Sequence, residues 1–233
     1  MLPKLNDTPK YQLTIPSSGK KVKYRPYLVK EEKVLLTAIE MGDFNTMINA
    51  IADTIKACVQ EDIKVEDLAT FDIEYMFLKI RGKSVGENIN IISRCKHCGG
   101  ENNVTINIDD INVEDTKPEK KIQLTDEVSL QVKYPSYSDI VASMNSEDEN
   151  LNFAFEMSLN VIDSIQTENE NIKVSDVERS ELKDFVDSMS SAQYAKITNF
   201  ISEMPSLKHR VNFKCSSCET DNDIVLEGIN DFF

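Results

Sequence analysis

The sequence contains no tryptophan, only two histidines and only seven glycines. These low counts limit the range of functions that the protein could have. The glycine content is too low for a fibrous or low-complexity chain. Because His97 and His209 are the only histidines, catalysis by a Cys–His or Ser–His pair has few options. There is also no glycine-rich phosphate loop and no His-Glu-x-x-His motif. Carboxylate pairs are abundant, but an acidic surface produces them by default, so we expect a protein that is not an enzyme.

Long apolar runs are absent as well. No segment approaches the roughly 20 consecutive apolar residues of a transmembrane helix, so we expect no membrane span. The first residues, MLPKLNDTPKYQ, lack the charged-then-apolar pattern of a secretion signal. Five cysteines in such a chain favour a reducing compartment and metal binding over disulfides.

The charge of the chain is strongly acidic. The formal net charge is −14, and the isoelectric point is near 4.6. Such a field repels the phosphate backbone of nucleic acids and anionic lipids, which argues against nucleic-acid binding. A local basic stretch is either a solvated strand face or a docking patch for an acidic neighbour. It comprises Lys20, Lys21, Lys23, Arg25, Lys30 and Lys33.

The most informative feature present is a pair of Cys-x-x-Cys motifs in similar surroundings. The first is Cys95 with Cys98, and the second is Cys215 with Cys218. Each follows an apolar run, enters a polar turn and continues into an alternating strand that ends in Ile-Asn. Two such turns supply four thiolates, the usual ligand set of tetrahedral structural zinc. We predict one zinc ion per chain, held by all four cysteines.

Other interpretations of these motifs stay open at this point. A Cys-x-x-Cys pair can be redox-active, although both pairs lie between strands rather than at a helix N-terminus, which would lower a thiol pKa. Two separate metal sites, each completed by a second chain, are possible, and so is a metal-free descendant. His97 could replace a ligand or serve as a solvent-facing spacer. The fifth cysteine, Cys58, lies on a helical apolar stripe, which indicates a buried hydrophobic role.

A weak internal repeat predicts the architecture. Two short segments recur about 110 residues later: Gln12–Thr14 as Gln123–Thr125, and Val22–Tyr24 as Val132–Tyr134. The two cysteine pairs are offset by about 120 residues. We predict an α+β fold with two related modules, each a β-hairpin, helices and a zinc-knuckle hairpin. They span residues 1–111 and 122–233, separated by a polar linker at 112–121. A shared four-cysteine, zinc-ribbon-like site would join them.

Hydrophobic spacing predicts the individual elements. Apolar residues that alternate with polar ones at 11–15 and at 22–24 predict the first hairpin. Residues 30–41 and 44–59 are expected to be helices, and a third helix is expected to stop near Gly82. In the second module we expect a hairpin at 122–132 and helices near 137–145 and 151–165. Capping boxes at Ser175 and at Ser190 predict two further helix starts, and Pro205 ends the last helix. The acidic clusters at 147–149 and 168–170 are expected in loops.

The sequence ends in two aromatic residues, Phe232 and Phe233. Chain ends usually fray, so paired aromatics there indicate order. They either fill the protein's own core or insert into a partner.

Two segments resemble a known family. They are LPKLNDTPKYQLTIPSSGKKVKYRPYLVKEEKVLLTAIE and FKCSSC…DIVLEGINDFF, and the most specific parts are YRPYLVKEEKVLL and the LEG-IN-DFF ending. They are similar to the baseplate hub and hub-assembly proteins of T-even-type contractile-tailed bacteriophages, over nearly the whole chain.

This resemblance implies a late structural or assembly protein of the baseplate hub, without catalysis. Its expected partners are other phage hub and tail proteins, with a possible homo-oligomer within the baseplate. Its expected locations are the virion tail baseplate and, during assembly, the host cytoplasm. The alternative function is a zinc-ribbon regulator that binds nucleic acid or polymerase.

Overall fold

A computed structural model describes residues 8–144, 153–228 and 231, and these residues form a mixed α+β structure. In chain order the elements are β1 (Tyr11–Thr14), β2 (Lys21–Tyr24), α1 (Val29–Met41), α2 (Phe44–Cys58), α3 (Thr70–Val85), β3 (Asn88–Arg94), β4 (Glu101–Asn107), β5 (Asn112–Val113), β6 (Lys121–Gln123), β7 (Ser129–Val132), α4 (Tyr137–Met144), α5 (Phe153–Asn160), β8 (Ile162–Gln166), β9 (Asn171–Lys173), α6 (Arg179–Asp187), α7 (Ser191–Ser202), β10 (Leu207–Lys214) and β11 (Asp221–Glu227). The predicted α+β class is therefore confirmed. Among the described residues, no helix is both long enough and apolar enough to cross a bilayer.

The chain divides into two compact packing units. The first consists of Met1–Glu114 together with Ser206–Phe233, and the second of Asp115–Pro205. The second cysteine hairpin, β10–β11, thus packs in the same unit as the first cysteine hairpin, β3–β4. The packing units differ from the predicted modules 1–111 and 122–233. Packing reports contacts rather than ancestry, so the duplication stays a prediction.

The residues assigned to a linker, 112–121, contribute to structure at both ends. Asn112–Val113 pairs antiparallel with β10, so that β5, β10 and β11 form a three-stranded sheet. Lys121 already belongs to β6. The backbone N–H of Glu114 also donates to the carbonyl of Ser206 at 3.1 Å. The polar composition predicted a loop here but carried no information about these pairings.

The first hairpin forms as its alternation predicts. Leu13 pairs with Val22, and both side chains are buried. Ile15 and Tyr24 are buried as well, whereas the intervening residues 12, 14, 21 and 23 are exposed. The period of two places one face of the hairpin against the core.

Helices α1 and α2 match their predicted ranges, but α3 passes through Gly82 and ends at Val85 before Gly86. Gly82 has a packing role instead of a terminating one. A Cβ at this position would lie 3.1 Å from Cγ2 of Ile108, so the missing side chain allows the segment after β4 to approach the helix closely. The helix stops where Gly86 adopts a φ of 126°.

The core of the first unit joins α3 to the two cysteine hairpins. Leu78 of α3 is fully buried among apolar residues of β3, β4, β10 and β11. The buried members of this cluster are Leu78, Ile89, Val104, Ile106, Ile108, Ile111, Leu207, Val211 and Leu226. Both hairpins are thereby anchored on one hydrophobic core.

The buried carboxylate of Asp72 connects the first hairpin to the start of α3. Its Oδ1 accepts from the backbone N–H of Ser17 at 2.9 Å, and its Oδ2 accepts from that of Ala69 at 3.3 Å. The side chain is fully buried, and this burial raises the pKa of Asp72 above its usual value. The carboxylate satisfies two amides that would otherwise be orphaned.

We expect Asp72→Ala to lower the free energy of unfolding by roughly 2 kcal/mol, because two amides lose their acceptor. Asp72→Asn keeps an acceptor oxygen and should cost less. Because the folded-state pKa of Asp72 is raised, wild-type stability declines as pH rises from the unfolded pKa of about 3.9 through the folded pKa. Urea unfolding across this range should therefore favour the Asn variant increasingly over the wild type. A constant difference between the two would contradict the burial argument.

The second unit is built on a four-stranded antiparallel sheet in the order β6–β7–β8–β9. Its buried core draws on this sheet and on α5, α6 and α7. The members are Ile122, Leu130, Val132, Leu159, Val161, Ile162, Ile165, Leu182, Val186, Ile197 and Phe200. The hairpin predicted at 122–132 is confirmed.

The helix predicted at 151–165 is wrong in its last five residues. The helix α5 ends at Asn160, and residues 162–166 form β8, which pairs with both β7 and β9. Short apolar runs do not distinguish a buried strand from a helix, and here the pairing with β7 decides. The acidic cluster at 168–170 lies in the β8–β9 turn, whereas the one at 147–149 lies outside the described residues.

One of the two predicted capping boxes is confirmed. Ser190 Oγ accepts from the N–H of Gln193 at 3.3 Å, and Gln193 Oε1 accepts from the N–H of Ser190 at 2.8 Å. The prediction at Ser175 was wrong, because residues 174–176 form a short 3-10 turn and α6 begins only after Glu178. The last helix, α7, ends at Ser202 before Pro205, as expected.

Candidate metal centre

Each cysteine pair occupies the tip of an antiparallel hairpin. Arg94 pairs with Glu101 at the end of β3–β4, and Lys214 pairs with Asp221 at the end of β10–β11. The two tips share one backbone pattern. The N–H of the first cysteine donates to the carbonyl five residues later, at 2.9 Å in both tips. Its carbonyl accepts from the N–H four residues later, at 2.9 Å in the first tip and 3.0 Å in the second.

The second tip uses the same backbone conformation as the first. Gly99 has a φ of 73°, and Glu219, at the equivalent position, has a φ of 61°. The second tip reaches this left-handed conformation although it has no glycine at the position. Glu219 is exposed, and the hairpin imposes a left-handed conformation that costs a non-glycine residue roughly 1–2 kcal/mol.

This conformational strain can be tested by exchanging residue types. Glu219→Gly should raise the free energy of unfolding by up to about 1 kcal/mol, because glycine removes the strain but gains entropy when unfolded. Gly99→Ala should lower it by about 1 kcal/mol. No atom lies within 4 Å of a Cβ built on Gly99, so its effect would be conformational alone. Denaturant unfolding of metal-loaded protein measures both, and equal signs for the two changes would contradict the shared geometry.

The structure brings all four predicted cysteines together. The Sγ atoms of Cys95, Cys98, Cys215 and Cys218 lie within 4.8 Å of one another. Cys95 Sγ lies 3.7 Å from Cys218 Sγ, and Cys98 Sγ lies 3.7 Å from Cys215 Sγ. Sulfurs bonded at about 2.3 Å to a tetrahedral zinc ion are about 3.8 Å apart. The cluster could therefore bind a metal ion with tetrahedral preference.

Backbone amides surround the sulfurs with positive dipoles. The N–H groups of His97 and Ser217 each lie 3.4 Å from the first sulfur of their own pair, Cys95 and Cys215 respectively. The N–H of Gly100 lies 3.4 Å from Cys98 Sγ. Hydrogen bonds of this kind favour thiolates over thiols. The hairpin tips thus stabilise the charged form that binds a metal.

The electrostatics of the thiols follow from these donors. The backbone N–H groups of Cys98 and His97 lower the pKa of Cys95 to about 6. The N–H groups of Cys218 and Ser217 likewise lower the pKa of Cys215. The N–H of Gly100 acts in the same direction on Cys98, but hydrogen bonds with the neighbouring Cys218 and Cys215 sulfurs outweigh it and raise the pKa of Cys98 to about 12. Without a cation, adjacent thiolates repel one another. Cys95 and Cys215 therefore ionise before Cys98.

Asn102, which the sequence analysis missed, links the first hairpin to the second cysteine pair. Its Oδ1 accepts from the backbone N–H of Ser216 at 2.8 Å, and its Nδ2 lies 3.7 Å from Cys215 Sγ. The same amide donates to the carbonyl of Gly100 at 2.9 Å. The side chain is buried, so all of its polar atoms are used within the site.

Asn222 makes the reciprocal contacts from the second hairpin. Its Oδ1 accepts from the N–H of Lys96 at 3.0 Å, and its Nδ2 lies 3.4 Å from Cys95 Sγ and 2.9 Å from the carbonyl of Thr220. These exchanged contacts are what a local twofold relation between the tips requires. Each asparagine follows the second cysteine of its pair by four residues, a spacing visible in the sequence.

Among the described residues, neither histidine belongs to the candidate ligand group. The side chain of His97 is exposed, and that of His209 is half-buried on β10. Within the described part of the chain, the candidate ligand group around the cluster consists of cysteines alone. Cys58 is buried in α2, where desolvation raises its pKa to about 11, which confirms its predicted place in the hydrophobic core.

Comparisons with known proteins give matches that extend over nearly the whole chain. The family model described as T4 bacteriophage base plate protein matches residues 8–233. A similar curated protein is the "Baseplate hub assembly protein gp26" of Enterobacteria phage T4, 23% identical over 223 residues, which are 96% of this chain and 97% of that protein. No solved structure matches the chain significantly. The family match covers both cysteine hairpins and everything between them, and the chain belongs to the T4 bacteriophage base plate protein family.

Proposed function

We propose that this protein is a structural or assembly component of the baseplate hub of a contractile-tailed bacteriophage, acting through protein–protein contacts. The family match from residue 8 to residue 233 carries this proposal. The T4 relative named as a hub assembly protein supports the hub assignment, since 97% of its length is covered. The proposed partners are other hub and tail proteins, and a homo-oligomer within the baseplate is possible. The proposed locations are the virion tail baseplate and, during assembly, the host cytoplasm.

We further propose that one zinc ion per chain, bound by the four clustered cysteines in a zinc-ribbon-like site, stabilises the first packing unit. Four sulfurs at tetrahedral spacing suit zinc, and soft thiolate ligands disfavour magnesium or calcium. The two cysteine pairs are about 120 residues apart in sequence, so a shared ion would connect distant parts of the chain. Its binding free energy would then contribute to folding.

A scaffold role agrees with the described side chains better than catalysis or nucleic-acid binding. Both cysteine pairs lie between strands, away from helix N-termini that would activate a redox thiol. Part of the basic stretch is neutralised internally, because Arg25 and Lys30 both pair with Glu31. The net charge of −14 repels the phosphate backbone of a nucleic acid. We therefore propose no enzymatic activity and no nucleic-acid partner.

The function is testable in infected cells. An affinity-tagged copy of the chain, expressed during infection by the phage that encodes it, should enrich baseplate hub proteins over untagged controls in quantitative mass spectrometry. Mobility-shift assays with DNA and RNA at low salt should show no binding. Enrichment of polymerase subunits, together with a salt-dependent shift, would support the regulator alternative instead.

A further inference from the structure

Helix α1 of the first packing unit and the residue before it leave many apolar side chains exposed. Among the described residues, the exposed large hydrophobic side chains are concentrated between positions 28 and 41. They are Leu28, Val29, Val34, Leu36, Ile39 and Met41. The terminal Phe232 and Phe233 lie outside the described residues, and this surface is defined without them. Clustered apolar exposure of this kind marks an interaction surface.

Part of this surface has the spacing of a seam between paired helices. The pairing stripe, as we call it, comprises Val29, Glu32, Leu36 and Ile39. Its intervals of three, four and three residues are those of the a and d positions of a coiled coil. The side that α1 buries in its own unit is different and is formed by Glu31, Leu35 and Ala38. The last three stripe residues each follow one of these by one position, which is about 100° around the helix.

The pairing stripe borders an apolar groove of about 600 Å³ in the same unit. Leu36 and Ile39 line it from α1, Phe77 and Val85 line it from α3, and Ile51 of α2 also contributes. The side chains of Leu36, Ile39 and Val85 are 52–53% exposed, so the groove is open at both walls. A groove of this kind binds a helix that presents apolar anchors three or four residues apart. The stripe on α1 has such anchors itself.

Opposite charges flank the two ends of the pairing stripe. Lys33 and Glu40 each follow a stripe residue by one position, so both lie along the same side of α1, and both are exposed. When two copies of α1 run antiparallel, the start of one helix meets the end of the other. Lys33 of each copy then lies beside Glu40 of the other, and twofold symmetry forms this pair twice. A parallel arrangement would place like charges at the same level instead.

We propose that a second copy of this chain covers the pairing stripe, through an antiparallel, twofold-symmetric contact in which the α1 stripe of each copy enters the groove of the other. Leu36 and Ile39 are the apolar anchors, and Lys33 pairs with Glu40 of the second copy. The antiparallel direction also brings the helix dipoles into a favourable arrangement. This contact extends the proposed function, which includes a homo-oligomer but assigns it no surface. Because purified protein tests it, its failure would leave the hub assignment intact.

Sedimentation equilibrium of the full-length, zinc-loaded protein at physiological ionic strength tests this contact. The wild type should form a concentration-dependent dimer. The double variant Leu36→Lys with Ile39→Lys should raise the dissociation constant of this dimer at least about 100-fold, because both anchors become charged. Lysine keeps helix propensity and reduces the net negative charge, so neither unfolding of α1 nor general repulsion would explain the loss. Val225→Lys is the matched control, because this half-exposed residue lies on β11, outside the stripe, and it should dimerise like the wild type.

A charge exchange tests the antiparallel direction. Lys33→Glu alone and Glu40→Lys alone should each weaken the dimer about tenfold, because like charges then meet twice across the contact. The variant that carries both changes should regain the affinity of the wild type. Side chains seven positions apart on one helix do not contact each other, so only a contact between two copies explains such a rescue.

Several outcomes would overturn the proposal. One is a wild type that stays monomeric up to its solubility limit, and another is a dimer that is insensitive to the two lysine substitutions. A charge exchange that does not restore the dimer would exclude the antiparallel contact. A monomeric wild type that enriches hub proteins from infected cells, when the double lysine variant does not, would assign the pairing stripe to a hub partner instead of a second copy.

Discussion

Replacing Cys215 with serine is expected to remove the bound zinc and to unfold much of the first packing unit. Structural zinc contributes roughly 10–16 kcal/mol to the folding of small zinc modules, whereas whole domains are stable by only about 5–15 kcal/mol. Cys215 is buried, with an exposed fraction of 1%, so the serine hydroxyl would also leave three thiols facing a poor ligand inside the site. Chelation of the metal from the wild type should have the same effect.

The measurement is metal content per chain by elemental analysis, paired with thermal unfolding. The wild type should hold one zinc per chain and the Cys215→Ser variant close to none, with a markedly lower melting temperature. Cys58→Ala is the matched control, since Cys58 is buried in α2 away from the cluster. This variant should keep the zinc, and its free energy of unfolding should fall only by the contribution of one buried sulfur atom. Two zinc ions per chain, or none in the wild type, would contradict the shared-site model.

Asn222→Ala should weaken zinc binding by roughly 10–100-fold while leaving the four ligands in place, as removal of outer-shell partners typically does. The substitution deletes a donor to Cys95 Sγ and leaves the N–H of Lys96 without its acceptor. Asn222→Asp is a sharper variant. It keeps an acceptor for Lys96 but replaces the donor with a negative charge beside a thiolate, so it should bind zinc more weakly than the alanine variant.

Competition with a chromophoric chelator measures these affinities. Asn103→Ala is the matched control, because Asn103 is exposed on β4 beside the buried Asn102. It should bind zinc like the wild type. Asn102→Ala should resemble Asn222→Ala, and the double variant should lose less than the sum, since each asparagine supports the hairpin tip that the other also holds. An affinity unchanged in Asn222→Ala would mean that the reciprocal contacts are incidental to the metal.

Sequence patterns were most informative where one local signal determines the outcome. The alternation of Leu13, Ile15 and Val22 predicted the first hairpin, and the Ser190–Gln193 pair predicted the start of α7. Both features depend on residues within about ten positions of each other. The capping spacing at Ser175 was an equally local signal, but it failed. Residues 174–176 form a 3-10 turn, and α6 begins at Arg179.

Predictions failed where a distant partner decides the local structure. Residues 162–166 are a strand because β7 and β9 lie on either side of them, and Gly82 remains helical because Ile108 packs against it. Neither of these outcomes is encoded within one turn or one strand of the residue concerned.

The sequence by itself determined which residues are candidate metal ligands, because the spacing of two residues between cysteines fits a tight turn around one ion. It also determined the acidic character of the surface and, through the family-specific segments, the baseplate family. Only the tertiary structure decided that the two pairs meet, with sulfurs 3.7 Å apart, and that Asn102 and Asn222 cross between them. Residues about 120 positions apart are brought together by a common hydrophobic core on α3, and a core of this kind forms from contacts that no local spacing specifies.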